Sequence, residues 1–259
     1  MRIRMLIWML VCLFPYTAYA SGGQEWDKLD RISDEALQMT KNQRFEEAKQ
    51  LLEYFEQQFL QFNAREGIQS MDALHALTVT HEGAVKTVTA STLPIEERVN
   101  QVAQFRLVVD AVQAKHQPLW KEMKETIMSA FAGMKEAMEH EDEGAFQQAF
   151  QQFLQRYKLI EPSAKINVEP ERFQRVAAHI SLLEAPAFYQ LDANQQAKEL
   201  QQMEEDLEAL FADGKKEAAV PSLWWVMTSI GGMIVLTLTY VGWRKYRGEK
   251  EKRIVQGEE

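Results

Sequence analysis

A run of 26 residues without a charged side chain, from 218 to 243, constrains this chain more than any other feature. The apolar centre of the run, residues 223–241, would extend about 28 Å as an α-helix, which matches the hydrocarbon thickness of a bilayer. Aromatic residues stand at both ends of the run, as membrane helices place them at the two interfaces: Trp224, Trp225, Tyr240 and Trp243. The sequence therefore predicts one C-terminal transmembrane helix over residues 218–243.

The residues after this helix predict its orientation. Arg244 and Lys245 open a short basic tail, residues 244–259, which carries a net charge of +2. Positively charged residues next to a membrane helix stay in the cytoplasm. We therefore expect a single-pass protein of the cell membrane, with a cytoplasmic tail and an extracytoplasmic N-terminal domain.

The N-terminus has the pattern of a secretory signal. Two arginines precede an apolar run over residues 5–14, which is too short to span a bilayer. Ala18 and Ala20 then form the small-x-small pattern that signal peptidase cleaves, which puts the cut before Ser21. The pattern favours a cleaved signal peptide, residues 1–20, over the alternative of an uncleaved anchor.

Charge and cysteine content exclude several classes of function. The single cysteine, Cys12, lies inside the predicted signal peptide, so the mature chain has no disulfide, thiolate nucleophile or thiolate metal ligand. The external segment, residues 21–217, has 34 acidic and 21 basic side chains, which give a net charge of −13. This charge argues against binding to nucleic acid.

The apolar residues of the external segment recur at helical spacing. We predict an all-α fold, a helical-hairpin bundle of about eight helices, in which the six prolines of the mature chain fall between the periodic segments or at their edges. Residues 71–90 are rich in threonine and valine, which suits a strand, but their apolar spacing favours a helix. Pro162 and Pro170 are expected to bracket an irregular stretch, residues 163–169.

Two hairpins within the external segment look alike. Phe45 and Ala48 begin a helix after a turn, and Phe146 and Ala149 do the same 101 residues later. The pattern suggests two tandem four-helix units, residues 25–115 and 116–213. The alternative is that two amphipathic hairpins match by chance.

Several polar residues invite a chemical interpretation. Glu136 and His140 lie four residues apart, as zinc ligands on a helix do, but their acidic surroundings favour a solvated helix end. His75, His81 and His179 lie among apolar residues, and we expect them to be partly buried and structural. No catalytic or phosphate-binding motif stands out. We therefore expect no enzyme activity, no catalytic residue, no cofactor and no metal.

The layout as a whole resembles the sporulation protein YpjB family of endospore-forming Bacillus-type bacteria. The resemblance rests on the predicted signal peptide, the first hairpin over residues 26–62, the Trp224-Trp225 pair and the Arg244-Lys245 pair. It covers essentially the full chain. It implies a sporulation-associated membrane protein, and it supplies no catalytic or binding residues.

These observations predict an interaction module. The external domain would present a helical groove to another exported or membrane protein. The alternative is a sensor that binds a small molecule between helices and signals through the membrane helix to a partner protein. The pattern favours no particular oligomeric state.

Overall fold

The computed structural model describes residues 21–65, 68, 70–114, 117–212, 234, 237, 239 and 240. The regular structure within these residues is helical throughout, which confirms the all-α prediction. The eight α-helices of residues 21–212 are α1 (Ser21–Lys41), α2 (Phe45–Arg65), α3 (Met71–Thr89), α4 (Ile95–Gln113), α5 (Lys124–Glu139), α6 (Glu143–Asn167), α7 (Pro170–Glu184) and α8 (Ala193–Phe211). Two 3₁₀-helices, Leu119–Met123 and Phe188–Gln190, precede α5 and α8. All of these elements belong to the first of two compact units, residues 1–214 and 215–259.

Among the described residues, no helix combines the length and the apolar character that a membrane crossing requires. The signal residues Ala18 and Ala20 lie outside the described residues, whereas Ser21 is the first residue of α1. Of the predicted span, only residues 234, 237, 239 and 240 are described, and they are helical. The rest of the span and its flanking residues fall outside: Trp224, Trp225, Trp243, Arg244 and Lys245.

The ambiguous segment, residues 71–90, forms helix α3. Ser70 caps the helix, and its hydroxyl accepts a hydrogen bond from the amide of Ala73 at 3.3 Å. Threonine is tolerated in a helix when its hydroxyl bonds to the carbonyl one turn earlier. Four threonines of α3 donate to the carbonyl four residues before them: Thr78, Thr80, Thr87 and Thr89.

The predicted break at Pro162 is wrong, because α6 continues through this proline to Asn167. A proline inside a helix has no N–H for the carbonyl four residues earlier, which here belongs to Lys158. The side-chain amide of Gln104 on α4 donates to that carbonyl instead, at 2.6 Å. Ser163 and Ala164 are fully buried, so burial of this last turn also favours the continued helix.

The buried side chains form two clusters, one in each half of the helical region. Residues from Trp26 to Val109 form the first cluster, and residues from Ala111 to Phe211 form the second. We call residues 21–113 the N-terminal bundle and residues 119–211 the C-terminal bundle. In each bundle, helices that follow one another in the chain pack side by side, and the first helix also packs against the fourth. Helix α6 of the C-terminal bundle contacts α3 and α4, which joins the two bundles.

The two bundles share a register of 98 residues. Helices α4 and α8 both begin and end 98 residues apart, α2 and α6 begin 98 residues apart, and α1 and α5 end 98 residues apart. The turns that follow α1 and α5 also match. Gln43 has φ 59° and Glu141 has φ 54°, and the next residue in each turn bonds back to the carbonyl five residues earlier. This is the hydrogen-bond pattern of a Schellman motif.

Burial follows the same register. The buried pairs that are 98 residues apart include Leu52 and Phe150, Phe55 and Phe153, Phe62 and Ile160, Val102 and Leu200, and Val109 and Leu207. The spacing of 101 residues taken from the sequence instead pairs Ala48, which is fully buried, with Ala149, which is only half-buried. The structural register therefore differs from the sequence match by three residues, almost one helical turn. A common origin of the two units stays a prediction.

Side-chain hydrogen bonds hold the junction between the bundles. The indole N–H of Trp120 donates to the Asn167 side chain at 3.1 Å, and the Asn167 amide donates to the carbonyl of Ala111 at 2.9 Å. The carboxylate of Asp110 accepts a hydrogen bond from the backbone N–H of Leu119 at 2.7 Å. These contacts fix the direction of the chain where it passes from α4 into the C-terminal bundle.

Candidate functional site: an acidic cleft in the C-terminal bundle

The C-terminal bundle contains a cleft of about 410 Å³ at the end where α5 turns into α6 and where α8 begins. The turn after α5 forms one wall, and the first residues of α8 form the other. Three larger apolar side chains line its interior, Met138, Phe146 and Tyr189, together with alanines of α5 and α8. The cleft is therefore apolar inside and open to solvent at the helix ends.

The rim of the cleft is acidic. Four carboxylates line it, those of Glu139, Glu141, Asp142 and Glu143, and none of the other described lining residues is basic. The N-termini of α6 and α8 lie at the same place, and each contributes about half a positive charge. Asp142 caps α6, and its carboxylate accepts a hydrogen bond from the amide of Ala145 at 2.9 Å. Two half charges do not balance four carboxylates, so the rim remains negative and favours a cation.

Aromatic contacts hold the floor of the cleft in place. The ring of Phe146 stacks on Phe188 at 5.8 Å and meets Tyr189 edge-on at 6.5 Å between centroids. Phe146 is almost fully buried, whereas Tyr189 is half-buried and offers part of its ring to the cleft. Gln147 donates a hydrogen bond to the Tyr189 hydroxyl. Burial, with the nearby charge of Glu143, raises the pKa of Tyr189, so this side chain stays neutral.

A second polar cluster joins α7 and α8. The ring of His179 lies 2.5 Å from the carboxylate of Glu199 through Nδ1 and 3.0 Å from that of Asp206 through Nε2. Arg175 donates to the other oxygen of Asp206 at 2.7 Å. Burial raises the pKa of Asp206, but the bonds from Arg175 and His179 outweigh it, so the pKa is lowered overall. Each ring nitrogen of His179 is paired with a carboxylate of α8, so we interpret the cluster as a structural contact that holds α7 against α8.

The structure places the other histidines differently. His81 is half-buried as predicted, with Nε2 2.9 Å from the carbonyl of Leu52 and its ring stacked on Phe55 at 5.8 Å. His75 is exposed, so the expectation of a partly buried side chain is wrong there. His75 stands on the outer face of α3, between positions that point inward.

His140 and Glu136 end helix α5. The backbone N–H of His140 donates to the carbonyl of Glu136 at 3.1 Å, and His140 is the C-cap residue. In the part of the chain that the structure describes, no three histidine, cysteine or carboxylate side chains are placed to hold a metal ion. The neighbours of these two residues, rather than the pair itself, line the cleft.

Sequence reasoning identified the acidic run but not the cleft. The sequence alone indicates a solvated turn over residues 139–143. The cleft was missed because Tyr189, whose ring lies opposite this turn, is almost 50 residues further along the chain. The short 3₁₀-helix that carries Tyr189 follows Pro186 and has no periodicity of its own. No local signal in the sequence joins these two segments.

Comparison with known proteins identifies the family. The sequence model of the family described as Sporulation protein YpjB matches residues 26–255 of this chain. The chain belongs to the YpjB sporulation protein family. The uncharacterized protein YpjB of Bacillus subtilis (strain 168) is 30% identical over 256 residues, which cover 97% of this chain and 97% of that protein. No solved structure matches this YpjB family member. The resemblance stated from the sequence is confirmed.

Proposed function

We propose that this YpjB family member is a non-catalytic interaction module that acts during sporulation. Its extracytoplasmic helical domain captures another exported or membrane protein, and one membrane helix holds that domain at the cell membrane. The observation that carries the proposal is the acidic cleft, which combines an apolar interior with four carboxylates at its rim. Apolar contact provides binding free energy, and the charged rim selects the partner.

The charge of the whole external segment supports the same partner chemistry. Residues 21–217 carry a net charge of −13, so a basic surface is attracted from a distance before it reaches the cleft. The attraction is long-ranged and weakens as salt increases, since the Debye length is about 8 Å at physiological ionic strength. Capture of the partner should therefore weaken with added salt.

The membrane placement rests on the C-terminal sequence. The uncharged run, residues 218–243, has the length of a span, and aromatic residues mark its two ends: Trp224, Trp225, Tyr240 and Trp243. Arg244 and Lys245 put the tail in the cytoplasm under the positive-inside rule. In this arrangement the helical domain faces the space outside the membrane, where an exported partner is accessible.

The alternative is a sensor that binds a small molecule. The volume of the cleft, about 410 Å³, favours this possibility, because small-molecule sites generally fall between about 300 and 1,000 Å³. A ligand there would bridge α5, α6 and α8. The state of the domain would then pass through the span to a second protein.

The test is crosslinking of the epitope-tagged full chain in sporulating cells, with and without charge reversal at the rim. Glu139→Lys combined with Glu143→Lys reverses two exposed carboxylates of the cleft. Glu46→Lys combined with Glu56→Lys makes the same charge change on the exposed face of α2 and serves as the control. We expect one crosslinked protein to be lost with the rim variant and kept with the control.

Equal recovery of every crosslinked protein with both variants would contradict the role of the cleft. A melting temperature that rises with a metabolite, measured on the full chain in detergent, would favour the sensor instead. An unchanged melting temperature across such a panel, with a crosslink that depends on the rim, supports the interaction module.

A further inference from the structure

The N-terminal bundle shows what fills the place that is open in the C-terminal bundle. In the shared register of 98 residues, Phe45 corresponds to Glu143 and Arg98 corresponds to Gln196. The guanidinium carbon of Arg98 lies 4.3 Å from the centroid of the Phe45 ring. Arg98 is only 8% exposed, so its side chain fills this end of the bundle. The N-terminal bundle thus carries an arginine of its own where the C-terminal bundle has a cleft.

The C-terminal bundle keeps the hydrogen bond to the preceding loop but not the arginine and the ring. Nε of Arg98 donates to the carbonyl of Leu93 at 3.2 Å, in the loop before α4. The side-chain amide of Gln196 donates in the same way to the carbonyl of Phe188 at 3.0 Å, in the loop before α8. Gln196 therefore ties its helix to the preceding loop as Arg98 does. It supplies no positive charge, and Glu143 supplies no ring beneath it.

The sign of the surrounding charge is also reversed. Lys41 and Arg44 flank the turn after α1, and the corresponding residues after α5 are Glu139 and Asp142. A turn of the same backbone geometry is thus basic in the bundle that holds an internal arginine. It is acidic in the bundle that lacks one. The cleft is negative at the position where its counterpart contains a guanidinium group.

We propose that the cleft binds the guanidinium group of an arginine side chain that a partner protein presents on an exposed segment. The inference rests on the proposed function and names its ligand chemistry. The guanidinium plane lies against the exposed part of the Tyr189 ring, as that of Arg98 lies over Phe45. Its N–H groups donate to the rim carboxylates of Glu139 and Glu143, in charge-assisted and bidentate hydrogen bonds.

Lysine fits this site less well than arginine. Its ammonium group is a compact, strongly hydrated point charge, which neither stacks flat on a ring nor donates in a fork. Citrulline has nearly the shape of arginine without the charge, so it separates the electrostatic contribution from shape. One charge-assisted hydrogen bond contributes about 1.5–3 kcal/mol, so the loss of one corresponds to about tenfold or more in affinity.

The test is a titration of the full chain in detergent micelles, in which isothermal titration calorimetry measures the affinity for each peptide. Three pentapeptides are compared, with arginine, lysine or citrulline at the centre and glycine elsewhere. We expect the arginine peptide to bind about tenfold more tightly than the citrulline peptide, with the lysine peptide in between. Equal affinities for the three peptides, or no binding of the arginine peptide, would overturn the proposal.

Variants of the cleft test where the peptide binds. Glu143→Phe combined with Gln196→Arg rebuilds the ring and the arginine of the N-terminal bundle, and it should abolish peptide binding with the melting temperature retained. Glu139→Gln combined with Glu143→Gln leaves the cleft open but neutral, and it should weaken the arginine peptide about tenfold while the citrulline peptide is unaffected. The second variant keeps the test decisive if the first one misfolds.

The outcomes separate this inference from the proposed function. If the crosslink in cells depends on the rim while the three peptides bind equally, the interaction module stands and the preference for arginine fails. If the arginine peptide binds selectively while every crosslink is insensitive to the rim, the ligand chemistry stands and capture of a partner through this cleft fails.

Discussion

The junction between the bundles gives the sharpest prediction of stability. Asn167→Ala removes the acceptor of the indole N–H of Trp120 and the donor to the carbonyl of Ala111. Trp120 is fully buried, so its N–H has no simple route to water. Each neutral hydrogen bond contributes about 1 kcal/mol and a buried group left unpaired costs about 1–3 kcal/mol, so we expect a total loss of about 2–4 kcal/mol. The melting temperature should fall by about 5–12 °C for a domain of this size.

Two further variants separate the contributions. Asn167→Asp keeps an acceptor for Trp120 but sets a carboxylate oxygen against the carbonyl of Ala111, so it should cost more than the loss of that one hydrogen bond. Asn63→Ala is the control, because the Asn63 side chain accepts one hydrogen bond, from the amide of Ile68 at 3.0 Å, in the loop after α2. Its cost should stay below about 1 kcal/mol.

The assay is urea unfolding of the full chain in detergent. Tryptophan fluorescence and far-ultraviolet circular dichroism report the fraction of unfolded chain. The free energy of unfolding is extrapolated linearly for each variant. A change within about 0.5 kcal/mol for Asn167→Ala would refute the reasoning, because an exposed substitution has an effect of that size.

Five other substitutions test three contacts by thermal and urea unfolding. Pro162→Ala restores an N–H inside α6 and should stabilise the chain by about 1–2 kcal/mol. In that variant, Gln104→Ala should lower the free energy of unfolding less than it does in the parent chain, because the carbonyl of Lys158 no longer needs the Gln104 amide as its donor. Asp206→Asn should lower the melting temperature at pH 7, because folding lowers the pKa of Asp206 and its carboxylate therefore stabilises the fold above the unfolded pKa. This difference should shrink as the pH falls below the unfolded pKa of about 3.9 and vanish below the lowered pKa of the folded state. Arg106→Ala should cost about 1–2 kcal/mol, because it removes the partner of Asp30, which lies 2.8 Å away and is partly screened by solvent. Burial raises the pKa of Asp30, so Asp30→Asn should recover part of that loss.

Helices with local signals could be predicted from the sequence. The apolar spacing of residues 71–90 outweighed their threonine content, because those hydroxyls find acceptors within the helix itself. Helix α7 ends before Pro186 and α4 begins after Pro94, in agreement with the expectation that prolines lie at the edges of the helices. Each of these features depends on residues within one or two turns.

Features that depend on distant residues could not be predicted. Pro162 stays inside α6 because Gln104, 58 residues earlier, donates to the carbonyl that the proline leaves open. The cleft needs Tyr189 opposite an acidic turn about 50 residues before it. The spacing of 101 residues that the sequence offered has a physical origin. Phe146 is the aromatic counterpart of Phe45, but in the structural register it lies three residues further into its helix.

This shift raises the question of what closes the C-terminal bundle without a Phe45–Arg98 pair. The loop before the fourth helix gives the answer. Helices α3 and α7 end 95 residues apart, whereas α4 and α8 begin 98 residues apart, so the second loop is three residues longer. The longer loop carries Phe188, which is fully buried and stacks on Phe146 at 5.8 Å. The apolar closure of the bundle therefore comes from the loop, and the position of the internal arginine holds Gln196, which bonds to the same loop but carries no charge.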